Sequence, residues 1–192
     1  MRQHTVLFVD DESHVLGTIK RLLQNEAYGV ITANSGAEAL ELLAKQPVSL
    51  IVTDQRMPEM SGLDLLKEAK ARFPGAIRMI ITGYADLEVV IKAINEGEVY
   101  RFIPKPWNDE DLKLTVRQAL VQYDTLEDNR QLLSTVKMQR AVITEAEQKF
   151  PGVVIISNKL KDGVYIIEQA TSTLEELMQK YLPKKGNNNH GG

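Results

Sequence analysis

The chain has no cysteine among its 192 residues. This excludes disulfide bridges and thiol chemistry, and it agrees with a reducing cytoplasm. No apolar run approaches the ~20 residues that a membrane-spanning helix needs. The residues after Met1 enter an apolar strand pattern almost at once, so no signal peptide is expected and the expected location is cytoplasmic. Histidine is scarce: His4, His14 and His190 lie far apart, and none is followed by Asp. A histidine-based metal phosphohydrolase is therefore excluded. No P-loop or glycine-rich phosphate cradle occurs either. The net charge of −3 gives no general attraction to nucleic acid. Residues 108–192 hold 11 Lys and Arg against 12 Asp and Glu, and no basic recognition helix is visible there. Neither a turnover enzyme nor a nucleic-acid reader is expected.

What the chain does have is a set of apolar runs that each deliver a reactive side chain. Val48 to Thr53 ends in Asp54 and opens a turn that reaches Pro58 and Gly62. Val6-Leu-Phe-Val9 ends in Asp10-Asp11-Glu12. Ile77 to Ile81 ends in Thr82-Gly83, and Tyr100 to Ile103 ends in Pro104-Lys105-Pro106. Gly29 to Ala33 reads as a further short strand.

Helical patterns fill the gaps. Ser13 is expected to cap a helix to about Gln24, with Val15, Ile19, Leu22 and Leu23 inside. Ser35-Gly-Ala-Glu38 is a capping box. Ser61 opens a helix that Phe73-Pro74-Gly75 stops, and Asp86 to Asn95 is closed at Gly97. The alternation predicts an α/β fold, a five-stranded parallel sheet in a three-layer sandwich. Ligands of such sheets sit beyond the carboxyl ends of the strands. Those ends carry Asp10, Asp11, Asp54, Thr82 and Lys105.

This set suits phosphoryl transfer to a carboxylate. Clustered Asp side chains repel one another unless a divalent cation neutralises them, and hard oxygen donors select Mg²⁺. One Asp can then attack phosphorus, while a Lys ammonium and a Thr hydroxyl hold the phosphoryl oxygens. Glu38-Ala39-Leu40 spells the signature tripeptide of a cyclic-dinucleotide phosphodiesterase, but it falls inside a capped amphipathic helix with no metal-ligand pattern after it. It is read as structural.

With Asp10-Asp11, Asp54, Met57-Pro58, Ser61-Gly62, Thr82 and Lys105-Pro106 in register, residues 4 to 122 resemble the receiver domain of two-component response regulators, with its flavodoxin-like fold. The resemblance implies that Asp54 is the phosphoacceptor. It implies that Asp11 and Asp54 bind Mg²⁺ directly, Asp10 partly through water, and Arg56 through its backbone carbonyl. Lys105 would pair with the phosphate, and a cis bond before Pro106 would aim it at Asp54. Thr82 would be the switch hydroxyl and Phe102 the switch aromatic. The implied partner is a histidine kinase or phosphotransfer protein. Arg56 and Tyr84 stand two places after Asp54 and Thr82, where bulky side chains would hinder hydrolytic water.

The expected domains are a receiver over 1–122, a long helix over 108–150, a small unit over 151–183 and a disordered tail over 184–192. No Gly or Pro occurs from 108 to 150. Leu112, Val116, Ala119, Tyr123 and Leu126 keep a 4-3-4-3 spacing. Asn129, Leu133, Val136, Arg140 and Ile143 follow in a shifted register, as at a stutter. A parallel homodimeric coiled coil is expected, with Arg140 as the awkward seam residue; the alternative is that the second half folds back on the domain or frays. Val153–Ile156 and Val164–Ile167 read as a hairpin, and Thr171 caps a helix ending near Pro183. The output is read as switched dimerisation or binding of an unidentified downstream protein. A DNA-binding regulator with an unrecognised reader, or a regulator of kinase or enzyme activity, is the alternative.

Overall fold

The computed structural model describes residues 2–83, 86–149, 160–161 and 164–165. The chain forms two units, Met1–Leu132 and Leu133–Gly192.

In the first unit strands and helices alternate. They are β1 (Thr5–Val9), α1 (Ser13–Leu23), β2 (Gly29–Ala33), α2 (Gly36–Lys45), β3 (Leu50–Asp54), α3 (Gly62–Arg72), β4 (Ile77–Thr82), α4 (Leu87–Asn95) and β5 (Arg101–Pro104), followed by the start of α5 (Asp109–Lys149). The five strands form one sheet in the order β2-β1-β3-β4-β5, and every pairing is parallel. Parallel sheets are covered on both faces, which is why β3 is buried along its whole length.

Alternation of side chains along the strands divides the core in two. Leu7, Ile51 and Ile80 face the helices α2, α3 and α4, packing with Leu40, Leu66 and Val90. Phe8, Val52 and Met79 face α1 and α5, packing with Ile19, Leu112 and Val116. Each such buried side chain contributes about 1.5–3 kcal/mol. The expected three-layer sandwich is thus present. The α1 start differs from expectation: Glu12, not Ser13, stands at the N-cap. The Ser13 hydroxyl instead donates to Asn34 Oδ1 at 2.8 Å. Leu16 joins the buried face of α1, which the expected set omitted. In α2, Ser35 Oγ accepts from the Glu38 N–H, and Glu38 Oε2 accepts from the Asn34 N–H at 2.7 Å. With that carboxylate engaged in capping and Ala39 and Leu40 buried, the Glu-Ala-Leu tripeptide is a structural element.

Asn108 starts α5 by accepting from the N–H groups of Glu110 and Asp111. Leu112, Val116, Ala119 and Leu120 are buried. Where the helix passes the amino end of the sheet, Tyr123 packs edge-on against His4. Arg2 pairs there with Asp124 and Asp128, at 3.2 and 2.7 Å. Beyond this point no described residue of the helix is buried. Leu112, Val116 and Ala119 therefore belong to the receiver core and are not open to a second helix. Leu126, the last residue of the 4-3 spacing, is already exposed.

The second unit contains the rest of α5 and an antiparallel pair, β6 (Leu160–Lys161) and β7 (Val164–Tyr165), with Leu160 opposite Tyr165. The expected hairpin joined 153–156 to 164–167. Of those residues only 164–165 are described, and they pair with Leu160–Lys161. Residues 151–159, the expected helix from Thr171 and the tail lie outside the described residues. Among the described residues no helix is long and apolar enough to cross a membrane.

Candidate functional site

The strand order reverses between β1 and β3, because the chain runs outward to β2 on one side and to β4 and β5 on the other. A sheet of this kind opens a crevice at that point, beyond the carboxyl ends. Asp10 follows β1 and Asp54 closes β3, so both carboxylates stand at the crevice. Both are buried, at 3% and 6% exposure. Exposure that low requires a partner for each charge.

The partner is Lys105. Its ammonium contacts Asp54 Oδ1 and lies 3.4 Å from Asp10 Oδ2. The backbone sets this reach: the Lys105 N–H donates to the Thr82 carbonyl at 2.8 Å, and the Lys105–Pro106 bond is cis. The other carboxylate oxygens take backbone donors. Asp54 Oδ2 accepts from the Arg56 N–H at 2.6 Å, and Asp10 Oδ1 accepts from the Glu12 N–H at 2.9 Å. Burial pushes the Asp10 carboxyl above its ordinary range, against the pull of the Glu12 N–H and of Lys105. Burial also works to lower the Lys105 ammonium, but Asp54 and then Asp10 overcome it and hold the group above its ordinary value.

The turn after Asp54 is tightly held. A Cβ on Gly62 would collide with the Asp54 carbonyl oxygen, and the Gly62 N–H donates to the Gln55 carbonyl at 3.0 Å. Only glycine lets α3 begin so close behind the carboxylate. Ser61 Oγ caps that helix by accepting from the Asp64 N–H.

A cleft of about 350 Å³ opens over this centre, lined by residues that include Asp54, Arg56, Thr82, Asp86 and Lys105. The structure thus brings Asp10, Asp54, Lys105 and Thr82 together. Thr82 is buried, and its hydroxyl donates to the Gly83 carbonyl at 3.2 Å. Asp11 is exposed. Phe102 is half-buried and packs on the core face that α4 shares. Tyr84 lies outside the described residues. Among the described residues no group of three or more His, Cys, Asp or Glu side chains is drawn into a metal-holding cluster. The donor chemistry nevertheless fits a hard divalent cation: one ammonium serves two buried carboxylates, leaving negative charge to be met by oxygen-seeking metal.

One contact was not legible in the sequence. Arg56 forms a two-pronged pair with Asp86, Nε to Oδ2 at 2.7 Å and a terminal guanidinium nitrogen to Oδ1 at 3.1 Å. Thirty positions separate the two, and neither sits in a pattern that announces the other.

The family model of the response regulator receiver domain matches residues 6–117. The chain belongs to that family. Its similarity to named relatives is confined to the receiver region. The chain is 45% identical over 119 residues to the hydrogenase transcriptional regulatory protein HoxA of Cupriavidus necator, covering 62% of this chain and 24% of the relative. It is 32% identical over 130 residues to the DNA-binding transcriptional regulator NtrC of Escherichia coli, covering 68% and 28%. The receiver thus spans about a quarter of the length of these curated relatives. Among solved structures, a response regulator receiver domain protein from Clostridium thermocellum superposes with a TM-score of 0.60 at 34% identity, covering 64% of this chain and 98% of that one. A Rhodopirellula baltica chain described as adenylate cyclase gives 0.67 at 36% identity, covering 69% and 98%. A receiver domain accords with a signalling role rather than substrate turnover, and in general it implies a histidine-kinase partner.

Proposed function

We propose that this receiver accepts a phosphoryl group on Asp54 and uses it to switch the assembly or partner binding of the chain. The observation that carries the reading is the Lys105 ammonium shared between the buried carboxylates of Asp54 and Asp10. In the proposed reaction Asp54 Oδ attacks the phosphorus of a kinase phosphohistidine. An O–P bond forms as the N–P bond breaks, and the released imidazole takes up a proton. Mg²⁺, held by Asp11 and Asp54, by Asp10 through water and by the Arg56 carbonyl, would offset the charge of the phosphoryl oxygens. Lys105 would hold one such oxygen. Thr82 would turn its hydroxyl from the Gly83 carbonyl toward the phosphoryl, and Phe102 would follow into the space it leaves.

A small phosphodonor with Mg²⁺ should label the wild type on the peptide containing Asp54. Asp54→Asn should carry no label; undiminished labelling of that variant refutes the assignment. Arg56 and Tyr84 would slow hydrolysis by crowding the line of attack. The phosphoryl of the wild type should then outlast that of an Arg56→Asn, Tyr84→Ala double variant, and equal decay would contradict this role.

The output we propose runs through α5. Leu132, Leu133 and Val136 are exposed on one face beyond the receiver core, and a helix of this length buries such a stripe only against a partner. A second copy in a parallel coiled coil is the partner proposed, with phosphorylation biasing the pairing. The names of the relatives favour one second reading, a transcriptional regulator. A gel shift negative at low salt, where phosphate contacts are strongest, would count against it.

A further inference from the structure

We infer that Asp86 and Arg56 form a latch across the cleft, in which Asp86 holds the Arg56 guanidinium away from the phosphoryl position and Arg56 holds the first turn of α4 down. This rests on Asp54 being the phosphoacceptor. The pair joins the turn after β3 to the N-cap of α4. Asp86 makes no side-chain capping bond to its own helix, so its carboxylate serves the arginine. The Arg56 N–H donates to Asp54 Oδ2, which fixes the root of this side chain beside the phosphoacceptor. Only the side chain has to swing. The guanidinium feels Asp86 foremost and Asp54 more weakly, both deepening its protonation.

The reason to swing is charge. Lys105 already divides one positive charge between Asp54 and Asp10. A phosphoryl group adds further negative charge and three acceptor oxygens to the same cleft. A guanidinium binds phosphate oxygens in the same two-pronged manner as a carboxylate. Arg56 is 69% exposed in its present pair, and an exposed pair is weak. That weakness makes it displaceable. When Arg56 transfers to the phosphoryl, Asp86 is released and the N-terminal turn of α4 loses its tie to the β3 side of the cleft. Asp86 is a positioning residue, acting through Arg56.

The test is titration with beryllofluoride and Mg²⁺, followed by amide hydrogen exchange of the intact chain in peptides covering the 55–62 turn and the start of α4. Asp86→Asn keeps a good helix-starting residue but removes the charge. It should lower the half-saturating beryllofluoride concentration about fivefold and speed exchange at the start of α4 before any mimic is added. Asp86→Glu should stay close to the wild type. In an Arg56→Gln background, Asp86→Asn should have no further effect on either readout. An unchanged half-saturation in Asp86→Asn, or an equal gain without Arg56, overturns the latch. A wild type that never saturates overturns the phosphoacceptor reading and the latch with it, whereas a saturating wild type confines the failure to the latch.

Discussion

The two stretches of α5 are built from similar residues and have opposite fates. Leu112, Val116 and Ala119 are fully buried against the sheet. Leu132 and Leu133, two to three turns past the last core contact, are each 63% exposed. The difference lies in what stands beside the helix. The first stretch has β1, β3 and β4 under it, with α1 alongside. Among the described residues of the second stretch none is buried. An apolar repeat records that a helix expects cover, and only the surrounding structure decides whether the cover is its own domain or another chain.

The largest effect that would sharpen this contrast is at Leu112. Leu112→Ala should cost about 2–5 kcal/mol of stability in denaturant unfolding, as a cavity in a closed core does. Leu133→Ala should leave the receiver's unfolding midpoint within the scatter of the measurement. If Leu133→Ala proved as costly at low protein concentration, the overhang would be covered within the chain and the contrast would break.

A second substitution addresses the cover itself. Leu133→Asp with Val136→Asp should abolish pairing in sedimentation while leaving phosphoryl labelling of Asp54 intact. Loss of labelling would mean that the overhang supports the receiver fold.

The smallest effect concerns burial that hurts. Asp10 is held above its ordinary value of 3.8. Protonating it favours the fold, and that contribution is complete below 3.8 and lost as pH rises through the raised value. At neutral pH the charged form is the burden. Without Mg²⁺, Asp10→Asn should therefore stabilise the chain by on the order of 1 kcal/mol, a gain that shrinks as pH falls toward 3.8. Added Mg²⁺ should stabilise the wild type more than the variant. A gain that grew on acidification would show that Asp10 is favourably charged in the fold.

Most of the receiver was legible because its signals are local. Each strand reads as an apolar run, and each reactive residue sits at a run's end, so parallel order alone brings Asp10, Asp54, Thr82 and Lys105 to one edge. The helix start at Asn108 was equally legible from its side chain and the acids after it. What escaped depends on distant pairing. Ser13 looks like a cap but bonds Asn34, 21 positions away. Arg56 and Asp86 meet only because β3 and β4 are neighbours.

Whether Asp54 governs pairing through the far end of α5 is decided by light scattering after size exclusion, with Mg²⁺ and with or without beryllofluoride. The mass should rise toward two chains when the mimic is added to the wild type and stay unchanged in Asp54→Ala. A single-chain mass under every condition would contradict it.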